Sequence, residues 1–135
     1  MSGSLTMKFG THLMLDIYDS NKEVLSSSEV LRLLLDQLVH DLSMHKICDT
    51  TVVEVGPKNQ KDSGGISAYV MIAESHISIH TFPNRRFASM DIYTCQDTVD
   101  VPAVLEIVKT HLNCEDIDAA VHERGTRYPS QDFEP

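Results

Sequence analysis

The chain has 135 residues, 41% hydrophobic and 23% charged, which suits one globular domain with its own core and excludes a disordered or fibrous chain. A formal charge of −9 at pH 7 argues against nucleic acid or an anionic membrane surface as a partner and favours a cationic ligand. Cys48, Cys95 and Cys114 form no CxxC pair, the N-terminus lacks the apolar core of a signal peptide, and no apolar run approaches the roughly 20 residues of a membrane span. A protein of the reducing cytoplasm is the expectation.

In chain order, KFGTHLMLDIY (8–18) places Leu13, Leu15 and Ile17 on one face and His12, Met14, Asp16 and Tyr18 on the other, the alternation of a strand. Ser26 and Glu29 have capping-box spacing, and Val30, Leu31, Leu34, Leu35, Leu38, Val39 and Leu42 form a helical stripe. These predict a helix over about 27–45, with His40 and His45 on its exposed side. TTVVEV (50–55) reads as a strand, and GPKNQKDSGG (56–65) as a polar loop. Further strands are predicted at 66–73, 76–82 and 87–95, with PNRR turning between the last two. Asp100 caps a second helix, with Pro102 in its first turn and Val104, Leu105, Val108 and Leu112 facing inward. A last strand near 117–123 leads into the polar tail GTRYPSQDFEP.

The order β-α-β-β-β-β-α-β, with short connections, predicts an α+β fold: a largely antiparallel sheet with two helices on one face. The other face must be solvated, carry a site or meet a second subunit. No internal repeat or linker divides the chain, so residues 1–135 are expected to form a single domain.

Within this frame AESHISIHTF (73–82) is unusual, because Ser75, His76 and His80 occupy strand positions that aliphatic residues fill more readily. His76 and His80 share a strand face, but four residues span roughly 13 Å, too far to share one metal ion unaided. A Ser-His hydrolase reading lacks the GxSxG elbow, and alternation puts Ser75 and His80 on opposite faces. Taken singly, these residues read as polar groups on a half-exposed strand.

Taken together with their surroundings they read differently. GGIS (64–67), ESHISIHTFP (74–83), MDIYTC (90–95) and HERGTRY (122–128), preceded by GTHLMLDIYD, resemble the prokaryotic type of S-adenosylmethionine decarboxylase along almost the whole chain. The resemblance implies a two-layer α/β sandwich, a homodimer and a pyruvoyl cofactor made from the chain's own Ser75. The Ser75 hydroxyl would attack the carbonyl of Glu74, turning the peptide bond into an ester. β-Elimination would then separate residues 1–74 from a fragment 75–135, whose new N-terminal residue hydrolyses to pyruvoyl. His80 would be the processing base, assisted by Ser67, and an imidazole near neutrality suits that task. Cys95 would reprotonate the substrate carbon after CO2 leaves. The pyruvoyl carbonyl would form a Schiff base with the amine of a small cationic amino-acid substrate and accept its electrons. The product would serve spermidine biosynthesis.

For the substrate pocket the resemblance implies Phe82 as a stacking ring, and Asn84 where the family carries a glutamate suited to ribose hydroxyls. No aromatic lies between Tyr18 and Tyr69 to supply a second ring from the loop, and Gln96 stands where the family has glycine. Arg85 and Arg86 are expected to be solvated turn residues. Two alternatives follow: decarboxylation of ornithine or arginine with the same cofactor, and a non-catalytic relative that activates a partner decarboxylase.

Overall fold

A computed structural model describes residues 5–134. Its strands are β1 (Thr6–Met7), β2 (Gly10–Tyr18), β3 (Thr51–Val55), β4 (Gly65–Ile72), β5 (Ser75–Phe82), β6 (Phe87–Thr94), β7 (Asp116–Arg124) and β8 (Tyr128–Pro129). The helices are α1 (Lys22–Leu25), α2 (Ser28–Asp41) and α3 (Val101–Leu112), with a 3-10 turn at Pro83–Arg85. Six strands form a sheet in the order β3-β4-β5-β6-β2-β7, every neighbouring pair antiparallel. The short β1 and β8 form a separate ribbon.

The alternation in the strands decides the layers. Leu13, Leu15 and Ile17 of β2 are buried on the helix side, as are Ala68, Val70 and Ile72 of β4, Ile77 and Ile79 of β5, and Met90 and Ile92 of β6. Leu31, Leu34, Leu35 and Leu38 of α2 and Val104, Val108 and Leu112 of α3 close the same core. Each of these side chains except Ala68 contributes about 1.5–3 kcal/mol by leaving water. The opposite sheet face carries His12, Met14, Tyr69, Met71, His80 and Tyr93, and among the described residues no helix covers it. This is the expected two-layer α+β sandwich. None of the described helices is long and apolar enough to cross a membrane.

Both helix boundaries of the sequence reading need correction at α2. Ser27, not Ser26, is its N-cap, accepting from the Val30 amide at 3.2 Å. Ser26 instead ends the short α1, its hydroxyl donating to the Lys22 carbonyl at 2.9 Å, while Asn21 caps the start of that helix. At the other end α2 stops at Asp41 rather than near 45, and Ser43 turns the chain with φ 55°. His40 is exposed on α2, but His45 lies beyond the helix, hydrogen-bonded to Glu74. Helix α3 begins where expected, with the Asp100 carboxylate accepting from the Ala103 amide at 3.1 Å.

Candidate active site

Ala73 and Glu74 form the tight turn between β4 and β5. The Glu74 carbonyl accepts a 2.8 Å hydrogen bond from the Cys95 amide, at the point where the chain leaves β6. Ser75, the first residue of β5, has φ 153°, a conformation that L-residues avoid. The peptide bond between Glu74 and Ser75 is thus polarised on one side and joined to a strained residue on the other. A backbone N–H aimed at a carbonyl oxygen stabilises negative charge developing there, which is what attack on that carbonyl requires. The Cys95 side chain is exposed beside this turn. The Glu74 carboxylate accepts from the His45 amide at 3.0 Å and pairs with His45 Nδ1 at 2.8 Å. These bonds hold its carboxyl below the usual carboxylate range, against an upward push from burial.

Ser67 and His80 face each other across β4 and β5, with Ser67 Oγ 2.8 Å from His80 Nδ1. They line a cavity of about 290 Å3 with Lys58, Asp62 and Phe82. A neighbouring cavity of about 420 Å3 is walled by Asn59, Lys61, Asp62, Phe82, Arg85 and Phe87. The Phe82 and Phe87 rings lie 6.1 Å apart. The second aromatic of this pocket therefore comes from β6, directly opposite Phe82 in the hairpin, and not from the loop. Asn84 sits exposed in the 3-10 turn rather than in the cavity wall. Arg85 is not simply solvated: its guanidinium donates to the Gln60 carbonyl at 2.7 Å and ties the polar loop to the turn. The side chain of Gln96 donates to the Leu42 carbonyl at 3.2 Å, fastening the end of β6 to the C-cap of α2.

The Ser75 and Ser67–His80 sites are not adjacent in one protomer. Residues 75 and 80 lie on one unbroken strand, where five steps cover about 17 Å. They also have opposite parity: Ser75 shares its face with the buried Ile77 and Ile79, whereas His80 points to the uncovered face.

Two features escaped the sequence reading. Thr81 is 2% exposed, and its hydroxyl accepts from the Ile66 amide at 3.0 Å while donating to the Leu25 carbonyl at 2.8 Å. It takes over from the β4–β5 ladder where Gly65 passes so close to the Thr81 carbonyl that an added Cβ would lie 1.8 Å from its oxygen. On the uncovered face, His12 Nε2 is 2.8 Å from Asp91 Oδ1, and His12 Nδ1 is 3.1 Å from the Arg124 guanidinium. Arginine has no acceptor, so Nδ1 must accept and Nε2 must carry the proton donated to Asp91. The same guanidinium lies 4.8 Å from the centre of the Tyr93 ring, which gives Arg124, the first of the two arginines in HERGTRY, a structural role.

A two-layer sandwich in which a serine at φ 153° follows a tight turn, with the preceding carbonyl held by a backbone amide, sets the Glu74–Ser75 peptide bond apart from its neighbours. The sequence profile of the S-adenosylmethionine decarboxylase family matches residues 11–125. The S-adenosylmethionine decarboxylase proenzyme of Aquifex aeolicus is 34% identical over 116 residues, covering 86% of this chain and 81% of that protein. The proenzymes of Pyrobaculum islandicum and Thermotoga maritima are 29% and 31% identical over the same length, covering 88% and 84% of those proteins and 86% of this chain. The crystal structure of the adenosylmethionine decarboxylase from Aquifex aeolicus superposes with a TM-score of 0.76 at 31% identity, covering 93% of this chain and 98% of that one. The chain belongs to the S-adenosylmethionine decarboxylase family.

Proposed function

We propose that this protein is a proenzyme that cuts itself between Glu74 and Ser75 and then decarboxylates S-adenosylmethionine. The observation that carries the reading is the Glu74 carbonyl held at 2.8 Å by the Cys95 amide, next to Ser75 at φ 153°. Attack by the Ser75 hydroxyl puts negative charge on that carbonyl oxygen, where the Cys95 N–H stabilises it. The same step replaces the C–N–Cα link by the longer C–O–Cβ–Cα link and so releases the strained φ at Ser75. The domain 1–135 becomes fragments 1–74 and 75–135, which remain woven together because β4 and β5 are paired neighbours in the sheet. The pyruvoyl group left at residue 75 supplies an electron-withdrawing carbonyl for the decarboxylation.

The remaining residues fit roles around that centre. His80, oriented through Nδ1 by Ser67, offers Nε2 to take the Ser75 Cα proton during processing. The Cys95 thiol, exposed at the cut, is the proton donor to the substrate carbon. Phe82 and Phe87 offer ring faces to a flat base, in a cavity of about 420 Å3, within the size range of small-molecule sites. Asn84, exposed in the turn between the pocket residues Phe82 and Arg85, is assigned to the ribose hydroxyls. The names of the relatives support S-adenosylmethionine as the substrate.

The separation between Ser75 and His80 supports a homodimer. One protomer cannot bring both to one bond across about 17 Å of strand. A second copy laid on the uncovered sheet face, related by a twofold axis, reverses the strand direction and sets one protomer's Ser67–His80 pair over the other's Glu74–Ser75 bond. The protein then works in the cytoplasm on a small cationic amino acid.

Incubating the processed protein with S-adenosylmethionine, ornithine and arginine, and measuring released CO2, tests the substrate. Release from S-adenosylmethionine is expected. Release from ornithine or arginine alone would overturn that choice.

A further inference from the structure

We infer that His45 is a positioning residue for self-cleavage, the end of a strap that clamps the Glu74–Ser75 turn; this rests on the reading that the chain cuts itself there. Beyond α2 the chain turns at Ser43 and runs along the end of β4 that β3 does not reach, since β3 pairs only with Gly65–Tyr69. Lys46 bridges Ile72, and the Ile47 amide donates to the Met71 carbonyl at 3.1 Å. His45 then makes three bonds to the turn itself. Its carbonyl accepts from the Ala73 amide at 2.7 Å, its amide donates to Glu74 Oε1 at 3.0 Å, and its Nδ1 pairs with Glu74 Oε2 at 2.8 Å.

The strap is anchored to the body of the protein. Lys46 Nζ lies 2.6 Å from Asp36 on α2, Thr50 donates to the same carboxylate at 2.5 Å, and Arg32 donates to the Thr50 carbonyl at 2.7 Å. Glu74 is consequently held from two directions: its carboxylate by His45 and its carbonyl by the Cys95 amide. An unanchored two-residue turn would relieve the neighbouring Ser75 backbone by rotating the Glu74–Ser75 peptide plane, carrying the carbonyl away from the Cys95 N–H. The clamp opposes that rotation and keeps the carbonyl presented to attack. The His45 side chain is 75% exposed whereas Glu74 is 16% exposed, so replacing the imidazole removes its bond to Glu74 and disturbs no core packing.

The test compares self-cleavage rates of freshly made precursor by denaturing gel and intact mass. His45→Ala is expected to slow cleavage by about tenfold, the consequence of losing one charge-assisted hydrogen bond at the reacting group. His45→Asn, whose side-chain amide N–H can stand in the place of Nδ1, restores most of the rate. Glu74→Ala slows it as well, and the double variant is no slower than Glu74→Ala, which already removes both bonds between His45 and the carboxylate. In an uncleavable Ser75→Ala background, His45→Ala lowers the melting temperature only slightly, by the small contribution of one largely exposed imidazole. Cleavage of His45→Ala at the wild-type rate, multiplying effects of the two single variants, or rates that simply follow melting temperature would each overturn the role of His45. A wild-type chain that stays whole would overturn the self-cleavage reading itself.

Discussion

Thr81 offers the most quantitative check on how the site is held. Replacing it by valine keeps its volume and removes one hydroxyl, which bridges the Ile66 amide and the Leu25 carbonyl inside the core. Both partners are left buried without this bond, at about 1–3 kcal/mol each. The extra methyl recovers roughly 1 kcal/mol of apolar burial, so the net loss should be about 1–5 kcal/mol. At roughly 4 °C per kcal/mol for a domain of this size, the melting temperature falls by about 4–20 °C. Urea titration followed by circular dichroism, at one protein concentration and in the Ser75→Ala background, measures the change on an uncut chain. Thr81→Ser, which keeps both hydrogen bonds, is the control and should lose only about 1 kcal/mol. The reasoning fails if valine costs less than serine, or if neither substitution moves the midpoint.

Two other expectations concern the site. Chains carrying Ser75→Ala and His80→Ala should each remain uncut alone, yet when co-expressed the His80→Ala chain should be cut, because its Ser75 meets the intact His80 of its partner; the absence of any cut chain in purified mixed dimers would contradict a shared site. The second concerns acid. His45 lowers the Glu74 carboxyl in the native protein, so the contribution of this pair is present above the ordinary glutamate value of about 4.3 and is lost as pH falls through the lower native value. Stability measured against pH in the Ser75→Ala background should accordingly fall more steeply below about pH 4 than in the same protein carrying His45→Ala; superimposable curves would contradict the coupling.

The parts of the fold set by local chemistry were legible in the sequence. Asp100 and Pro102 start α3 by capping and a preset φ, and the alternation in β2, β4, β5 and β6 places the core side chains correctly. The start of α2 was ambiguous because three consecutive serines can each cap it; Ser26 is taken by α1, a helix too short to show a period. The early end of α2 depends on bonds from His45 and Ile47 to a strand almost thirty residues away, which no local pattern records. At the site, Ser75, His80 and Cys95 could be singled out from the sequence, and the opposite parity of Ser75 and His80 was legible. The group that holds the Glu74 carbonyl was not, since it is the backbone of Cys95 rather than its thiol. The loop was correctly seen to supply no second ring, but Phe87 was not singled out in its place, although the register of the hairpin across PNRR puts it opposite Phe82.

Self-cleavage at Glu74–Ser75 is the claim on which the rest depends, and intact-mass analysis of the purified protein tests it most directly. The account predicts two fragments, 1–74 and 75–135, the second lighter by the elements of ammonia than the same fragment begun by serine and blocked to N-terminal sequencing. A single chain of full mass that persists through prolonged incubation would contradict it.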